Sequence, residues 1–320
     1  MTFIEYNNNN KEYQTYIINP MIKKFYLLSF FIILFFLYHE EFIIDKEWKC
    51  INDEFLNLAK TYEYLLGKKE SISEDSPIWV MWYQGINKAP PIIKACIQSI
   101  LIKRVKHPVI LLDKSNIKKY IELPKYILKK FEDNIISITH FSDIVRMALL
   151  SRYGGFWIDS TYLVNTPLNL TNYSFYTLRF SKCYKTITKC KWSGNFLALP
   201  KNNFLSTYVY NSFLFYWKSH NKLINYFLID YIIRIAYDNI KKFRDLTKKI
   251  PLLECNIFDL SNRLNDLYEE KEPIKCSFNK IYRRGKFHEF KNRTKTNFKY
   301  IIDKYLLDIS NISNVHEILK

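Results

Sequence analysis

Three charged residues in one stretch of the chain, Asp143, Arg146 and Asp159, could do chemistry together. Asp143 and Arg146 stand three apart in SDIVRMALLSRY, where Ile144, Val145, Ala148 and Leu149 recur at helical spacing. The two charges therefore share a face of a helix predicted from about Asp143 to Tyr153, with Ser142 as its N-cap. Gly154-Gly155 must stop that helix, and the FWID that follows reads as a short buried strand ending in the carboxylate of Asp159. An Asp143–Arg146 pair on a solvated helix would contribute well under ~1 kcal/mol and need no further explanation. Brought together with Asp159 at the carboxyl edge of a sheet, the same groups would line the kind of cleft in which α/β proteins bind ligands.

The elements expected to position this cleft alternate. IWVMWYQG reads as a buried strand closed by Gly85, followed by a helix from Pro91 to about Ile102 and a strand at PVILLD. A helix after Ser115, another from Pro124 to Phe131 and a strand at NIISI complete a β/α run, which predicts an α/β fold with a mainly parallel central sheet. Past the centre, TYLVNTPLNL, NYSFYTLRF and NFLAL read as strands, and 203–217 and 221–240 as helices. Asp230 in the second helix either pairs with Arg234 or turns into the cleft. No GxGxxG fingerprint and no GxxxxGK[ST] loop occurs, which excludes the common dinucleotide and P-loop sites.

The order SDIVR, then YGGFWIDSTY, with IWVMWYQG and APPIIKACIQSI upstream and WSGNFLALP and INYFLIDYIIR downstream, resembles the capsular polysaccharide synthesis proteins, relatives of the sugar-transferases that carry a DxD motif. The resemblance covers roughly 77–236. It implies a GT-A-like fold and a glycosyltransferase that moves a sugar, with retention, from a nucleotide-diphosphate-sugar to a polysaccharide, glycan or glycolipid acceptor. On that reading Asp143 and Arg146 contact the donor sugar and Asp159 lies at the nucleotide-sugar or its metal, with Gly154, Gly155 and Thr161 beside them. Trp82, Tyr83 and Gln84 would lie by the base, and Trp192 and Asn195 near donor and acceptor. One departure stands out: Thr161 occupies the place of the second Asp of DxD. A divalent cation, Mg or Mn, would then be held weakly by Asp159. The departure also leaves open a catalytically silent member that binds a nucleotide-sugar or glycan and organises a membrane assembly.

A net charge of +17 could suggest nucleic acid, but no zinc-finger, helix-turn-helix or RNA-binding aromatic pattern accompanies it, so no specific nucleic-acid partner is expected. The basic groups suit a nucleotide diphosphate and acidic lipid headgroups. In the basic segment IYRRGKFHEFKNR, Arg283, Arg284, Lys286 and His288 either form a solvated loop or close on the diphosphate. The six cysteines have no CxxC spacing; Cys183 and Cys190 flank a polar loop and either pair or pack. At the amino end, 1–20 reads as a disordered tail and 45–76 as a helical connector to a catalytic domain over 77–320. Between tail and connector, 21–44 reads as an uncleaved membrane anchor, its FYLLSFFIILFFLY core spanning ~21 Å as a helix. The anchor is either single-pass, with the domain across the membrane from the tail, or monotopic, with the domain cytoplasmic.

Overall fold

The computed structural model describes residues 2–7, 12–17, 48–49, 51–68, 70–171, 173–181, 186–270 and 274–306. The chain divides into two units, Met1–Glu54 and Phe55–Lys320. In the first, β1 (Thr2–Asn7) and β2 (Glu12–Ile17) pair antiparallel. Phe3, Ile4, Tyr6, Tyr13, Thr15 and Ile17 are aromatic and β-branched types that favour strands, and they fall in the segment read from sequence as a tail. The anchor segment 21–44 lies outside the described residues. Among the described residues, no helix is long and apolar enough to cross a membrane. Residues 51–62 form a helix, α1.

The second unit holds a five-stranded sheet. Its strands, in chain order, are β3 (Ile78–Met81), β4 (Val109–Leu112), β5 (Gly155–Ile158), β7 (Tyr176–Thr177) and β9 (Phe196–Leu199), and their spatial order is β4-β3-β5-β9-β7. β3 runs parallel to both β4 and β5, but β9 runs antiparallel to β5 and to β7, so the sheet is mixed and not mainly parallel. The reason lies in the connections. Parallel neighbours need a long crossover, which α2 (Pro91–Lys103) supplies between β3 and β4, whereas the chain after β5 returns through short strands and loops. All four residues of β3, β4, β5 and β9 are buried, which explains their unbroken apolar sequences. Outside this sheet, β6 (Tyr162–Val164) pairs antiparallel with β11 (Phe278–Lys280), and β8 (Arg179–Phe180) pairs parallel with β10 (Leu252–Leu253).

After the short α3 (Ile117–Tyr120) and α4 (Lys125–Glu132), NIISI forms no strand. Asn134 takes a positive φ, and Ser137 caps a helix that begins five residues before the one read from sequence. This helix, α5 (Ile138–Tyr153), starts where the Ser137 side chain accepts the His140 N–H. It ends at Gly154, whose φ of 68° lets its N–H close on Leu150 O at 3.0 Å. Three further helices cover this half: α6 (Phe204–Ser219), α7 (Leu228–Asn239) and α8 (Lys241–Lys248). The stretch 220–227 stays outside α7, so the second expected helix is shorter than its sequence suggested. After α9 (Asp259–Asn262), α10 (Asn297–Tyr305) closes the described chain and buries Ile301 and Ile302, in keeping with its amphipathic sequence.

Candidate functional site

Because α5 begins at Ile138, Asp143 lies in its interior and not in its first turn, and it is buried there together with Arg146. A carboxylate and a guanidinium in that position need partners, and they find them in each other and in β5. Arg146 Nη2 lies 3.1 Å from Asp143 Oδ1 and 3.1 Å from Asp159 Oδ1, while Nη1 donates to Gly194 O at 2.6 Å. The guanidinium also lies over the Trp157 ring, 5.1 Å from its centre. Trp157 Nε1 donates to Asp159 Oδ1 at 2.8 Å, so one ring supports both members of the ion pair. Sequence reasoning placed Trp157 only in the strand, since nothing in FWID shows that its indole turns toward the Asp two residues on.

The second oxygen of Asp159 carries a group that sequence reasoning missed. Lys280, on β11, places Nζ 2.7 Å from Asp159 Oδ2 and 4.7 Å from the centre of the Tyr162 ring. The β6–β11 register sets Lys280 opposite Tyr162, three residues past Asp159. Burial alone would raise the Asp159 pKa, but the charges of Lys280 and Arg146 outweigh it and hold the carboxyl below its ordinary value. Burial lowers the Lys280 pKa, with Asp159 opposing that shift. The site therefore holds two cations on one carboxylate, with Asp143 as the second anion. His140, also missed, accepts the Trp217 Nε1–H at Nε2 over 2.8 Å and faces Asp143 Oδ2 with Nδ1 at 3.6 Å.

Next to this cluster is a cavity of about 490 Å³ whose lining includes Trp192, Gly194, Asn195, Asp230 and Cys255. Trp192 is buried and donates from Nε1 to Asp230 Oδ1 at 3.0 Å; Arg234 pairs with Asp238 instead, so Asp230 belongs to the cleft. Burial raises the Asp230 pKa to about 6, against the hydrogen bond from Trp192 and with help from the like charge of Asp143. Asn195 ties the cavity to the cluster: its O accepts the Asp159 N–H at 3.1 Å and its Oδ1 accepts the Tyr162 hydroxyl at 2.8 Å. A disulfide, Cys255–Cys276, joins the cavity wall to the segment that leads into β11 and Lys280.

The remaining expected residues divide. Trp82, Tyr83 and Gln84 follow β3, whose register with β5 puts them at the same carboxyl edge as Asp159. Gln84 is exposed, Trp82 Nε1 is buried without a hydrogen-bond partner among the described residues, and exposed Arg283 lies 6.0 Å from the centre of the Trp82 ring. Tyr83 packs edge-on against Phe131 and Phe141, so a packing role accounts for it. Gly154 precedes β5 and Gly155 is its first residue, so both lie at the end of the strand opposite Asp159. Their conformation and surroundings demand glycine. Gly155 has φ of 94°, and a Cβ there would lie 2.1 Å from Pro77 O; at Gly154 it would lie 2.4 Å from Lys201 N. Thr161 Oγ1 is buried without a hydrogen-bond partner among the described residues, and Arg284, Lys286 and His288 are exposed.

The fit of a divalent cation can be judged from this donor set. Asp159 supplies the one carboxylate of the motif, and both of its oxygens already face a cationic partner. Among the described residues, no group of three His, Cys, Asp or Glu could hold a metal ion. These residues do not fit a cation held by the protein.

Fold and site together define an α/β protein with a buried ionic cluster at the carboxyl edge of its parallel strands. The chain belongs to the family of capsular polysaccharide synthesis proteins, whose sequence pattern matches residues 39–309. Among solved structures, one described as "PaToxG Glycosyltransferase" is similar at 13% identity and a TM-score of 0.37, covering 63% of this chain and 89% of that one; a likeness this distant carries no argument. None of the curated proteins matches in sequence.

Proposed function

We propose that this chain is a glycosyltransferase with a GT-A-like core that transfers a sugar from a nucleotide-diphosphate-sugar to a glycan or glycolipid acceptor, in the synthesis of a capsule or other surface polysaccharide. Membership of the capsular polysaccharide synthesis family supports the pathway. The observation that carries the reaction is the cluster Asp143–Arg146–Asp159–Lys280 beside a cavity large enough for a sugar unit. Exposure separates the roles within it. The side chains of Asp159 and Lys280 are 25% and 15% exposed, so these groups can touch a ligand, whereas that of Arg146 is 5% exposed with both terminal nitrogens engaged. Arg146 is thus a positioning residue that sets the two carboxylates, and Asp143, at 11%, presents an oxygen at the edge for a sugar hydroxyl. Retention at the anomeric carbon belongs to the same reading and would appear in the linkage of the product.

Incubation with a panel of nucleotide-sugars, with release of nucleoside diphosphate as the readout, tests the proposal. Turnover by the wild type and at least about a hundredfold loss in Asp143→Asn would support it, since this variant keeps the volume and removes one charge. Release unaffected by that change would refute the site. Membrane attachment through 21–44 is part of the proposal, supported by the apolar run at 25–38. It predicts that the full chain sediments with membranes and is released by detergent and not by salt.

A further inference from the structure

The cleavage step of such a transfer leaves negative charge on a diphosphate. The bond between the anomeric carbon and the β-phosphate oxygen breaks with its electron pair on that oxygen, while the acceptor hydroxyl forms the new bond and its proton goes to the departing phosphate. Whatever the sugar, a cation is needed where that charge develops. The motif that would hold a divalent ion is incomplete here, with Thr161 in place of a carboxylate, and the surviving Asp159 holds an ammonium group.

We propose that Lys280 is the resident cation of this site: its ammonium receives the diphosphate directly and takes the place of a metal held by the protein. Three observations support this. Lys280 Nζ sits on the carboxylate oxygen that a bound ion would otherwise use, at 2.7 Å. An ammonium has three N–H donors, and among the described residues Nζ donates to Asp159 Oδ2 alone, so two remain for phosphate oxygens. The side chain is held in place from two sides, by Asp159 and by the face of the Tyr162 ring, yet keeps 15% of its surface open. Asp159 then acts through Lys280, aiming its ammonium across the 2.7 Å contact. The sequence departure at Thr161 and the lysine 119 positions later become parts of one device.

The inference rests on the glycosyltransferase reading, and binding measurements separate the two. Titrate uridine diphosphate, guanosine diphosphate and inorganic pyrophosphate into the full chain, once with a chelator and once with Mn or Mg. The wild type should bind at least one of these probes with affinities in the two buffers that agree within about threefold. With chelator, Lys280→Gln should bind that probe at least about tenfold more weakly, while Lys280→Arg keeps most of the affinity, because the loss is that of a charge-assisted contact. Wild-type binding that requires Mn or Mg would overturn the role of Lys280 and leave the transferase reading standing, and this arm needs no variant to fold. Folded Lys280→Gln that binds as the wild type does would overturn it too. No binding of any probe in either buffer would overturn both.

Discussion

Replacing Asp230 with Asn should stabilise this protein, and the gain should vanish in acid. Asp230 lies in the cavity wall with its pKa raised from 3.8 to about 6 by burial, with Asp143 adding a like charge and the Trp192 hydrogen bond opposing. The folded state therefore binds a proton more tightly than the unfolded chain. Below about pH 4 the carboxyl is protonated in both states and imposes no penalty. As pH rises toward and past 6, the folded state loses stability relative to that limit. At about 1.4 kcal/mol per pKa unit, a shift from 3.8 to about 6 corresponds to about 3 kcal/mol above pH 7, as an upper bound. Asn keeps an oxygen to accept the 3.0 Å bond from Trp192 Nε1 and removes the charge. Urea unfolding of both proteins between pH 4.5 and 8 measures the difference. Comparing variant with wild type also cancels His107, which burial shifts downward and which titrates in the same window with the opposite sign. Asp159, lowered below its ordinary value, titrates beneath that window. A variant less stable than wild type at pH 8, or a difference that does not change with pH, would refute the reasoning.

Other substitutions test the scaffold. Arg146→Ala should cost about 3–5 kcal/mol, because it strands Asp143 and Asp159 without their common partner. Arg146→Lys should recover part of that stability in urea unfolding but much less of the turnover, since an ammonium cannot bridge both carboxylates and Gly194 O as the guanidinium does. Gly155→Ala should destabilise by about 3–5 kcal/mol, from the positive φ and the overlap with Pro77 O, while leaving the donor affinity of the folded fraction unchanged. Loss of affinity in that fraction would return the glycine to the binding site. Cys255→Ser should lower stability by about 3 kcal/mol for a loop closed over a separation of 21 residues, and should loosen the wall of the cavity. Equal unfolding midpoints for that variant and the wild type would contradict it.

The parts legible in the sequence were those with local causes. Buried strands such as β3, β4 and β9 announce themselves as apolar runs, and Asp143 and Arg146 fall on one helix face through a fixed period. The start of α5 was misread because both Ser142 and Ser137 are good caps and NIISI carries β-branched residues; tertiary packing favoured helix. The direction of β9 and the mixed sheet were not readable, since a strand's apolar content says nothing about which way it runs. Lys280 was out of reach for a similar reason: its meaning comes from the β6–β11 register, between segments more than a hundred residues apart. The missing second carboxylate at Thr161 was the one local sign that something else must meet Asp159. The glycine pair was read as a helix stop, which it is, and as donor-binding; the close approach that demands glycine here is to Pro77 O and to the Lys201 N–H, and a glycine needed for close backbone approach looks the same in sequence whether the neighbour is a phosphate or Pro77.

The central claim is that the Asp143–Arg146–Asp159 cluster serves transfer from a nucleotide-diphosphate-sugar. Its most direct test is turnover of a donor panel by wild type and by Asp159→Ala, with mass spectrometry of both the released nucleoside diphosphate and the glycosylated acceptor, alongside unfolding curves for the two proteins. The account predicts at least one donor turned over by the wild type, and loss of more than about a hundredfold in the variant under conditions where it remains folded. Full activity in folded Asp159→Ala, or no donor consumed by the wild type with any acceptor offered, would contradict it.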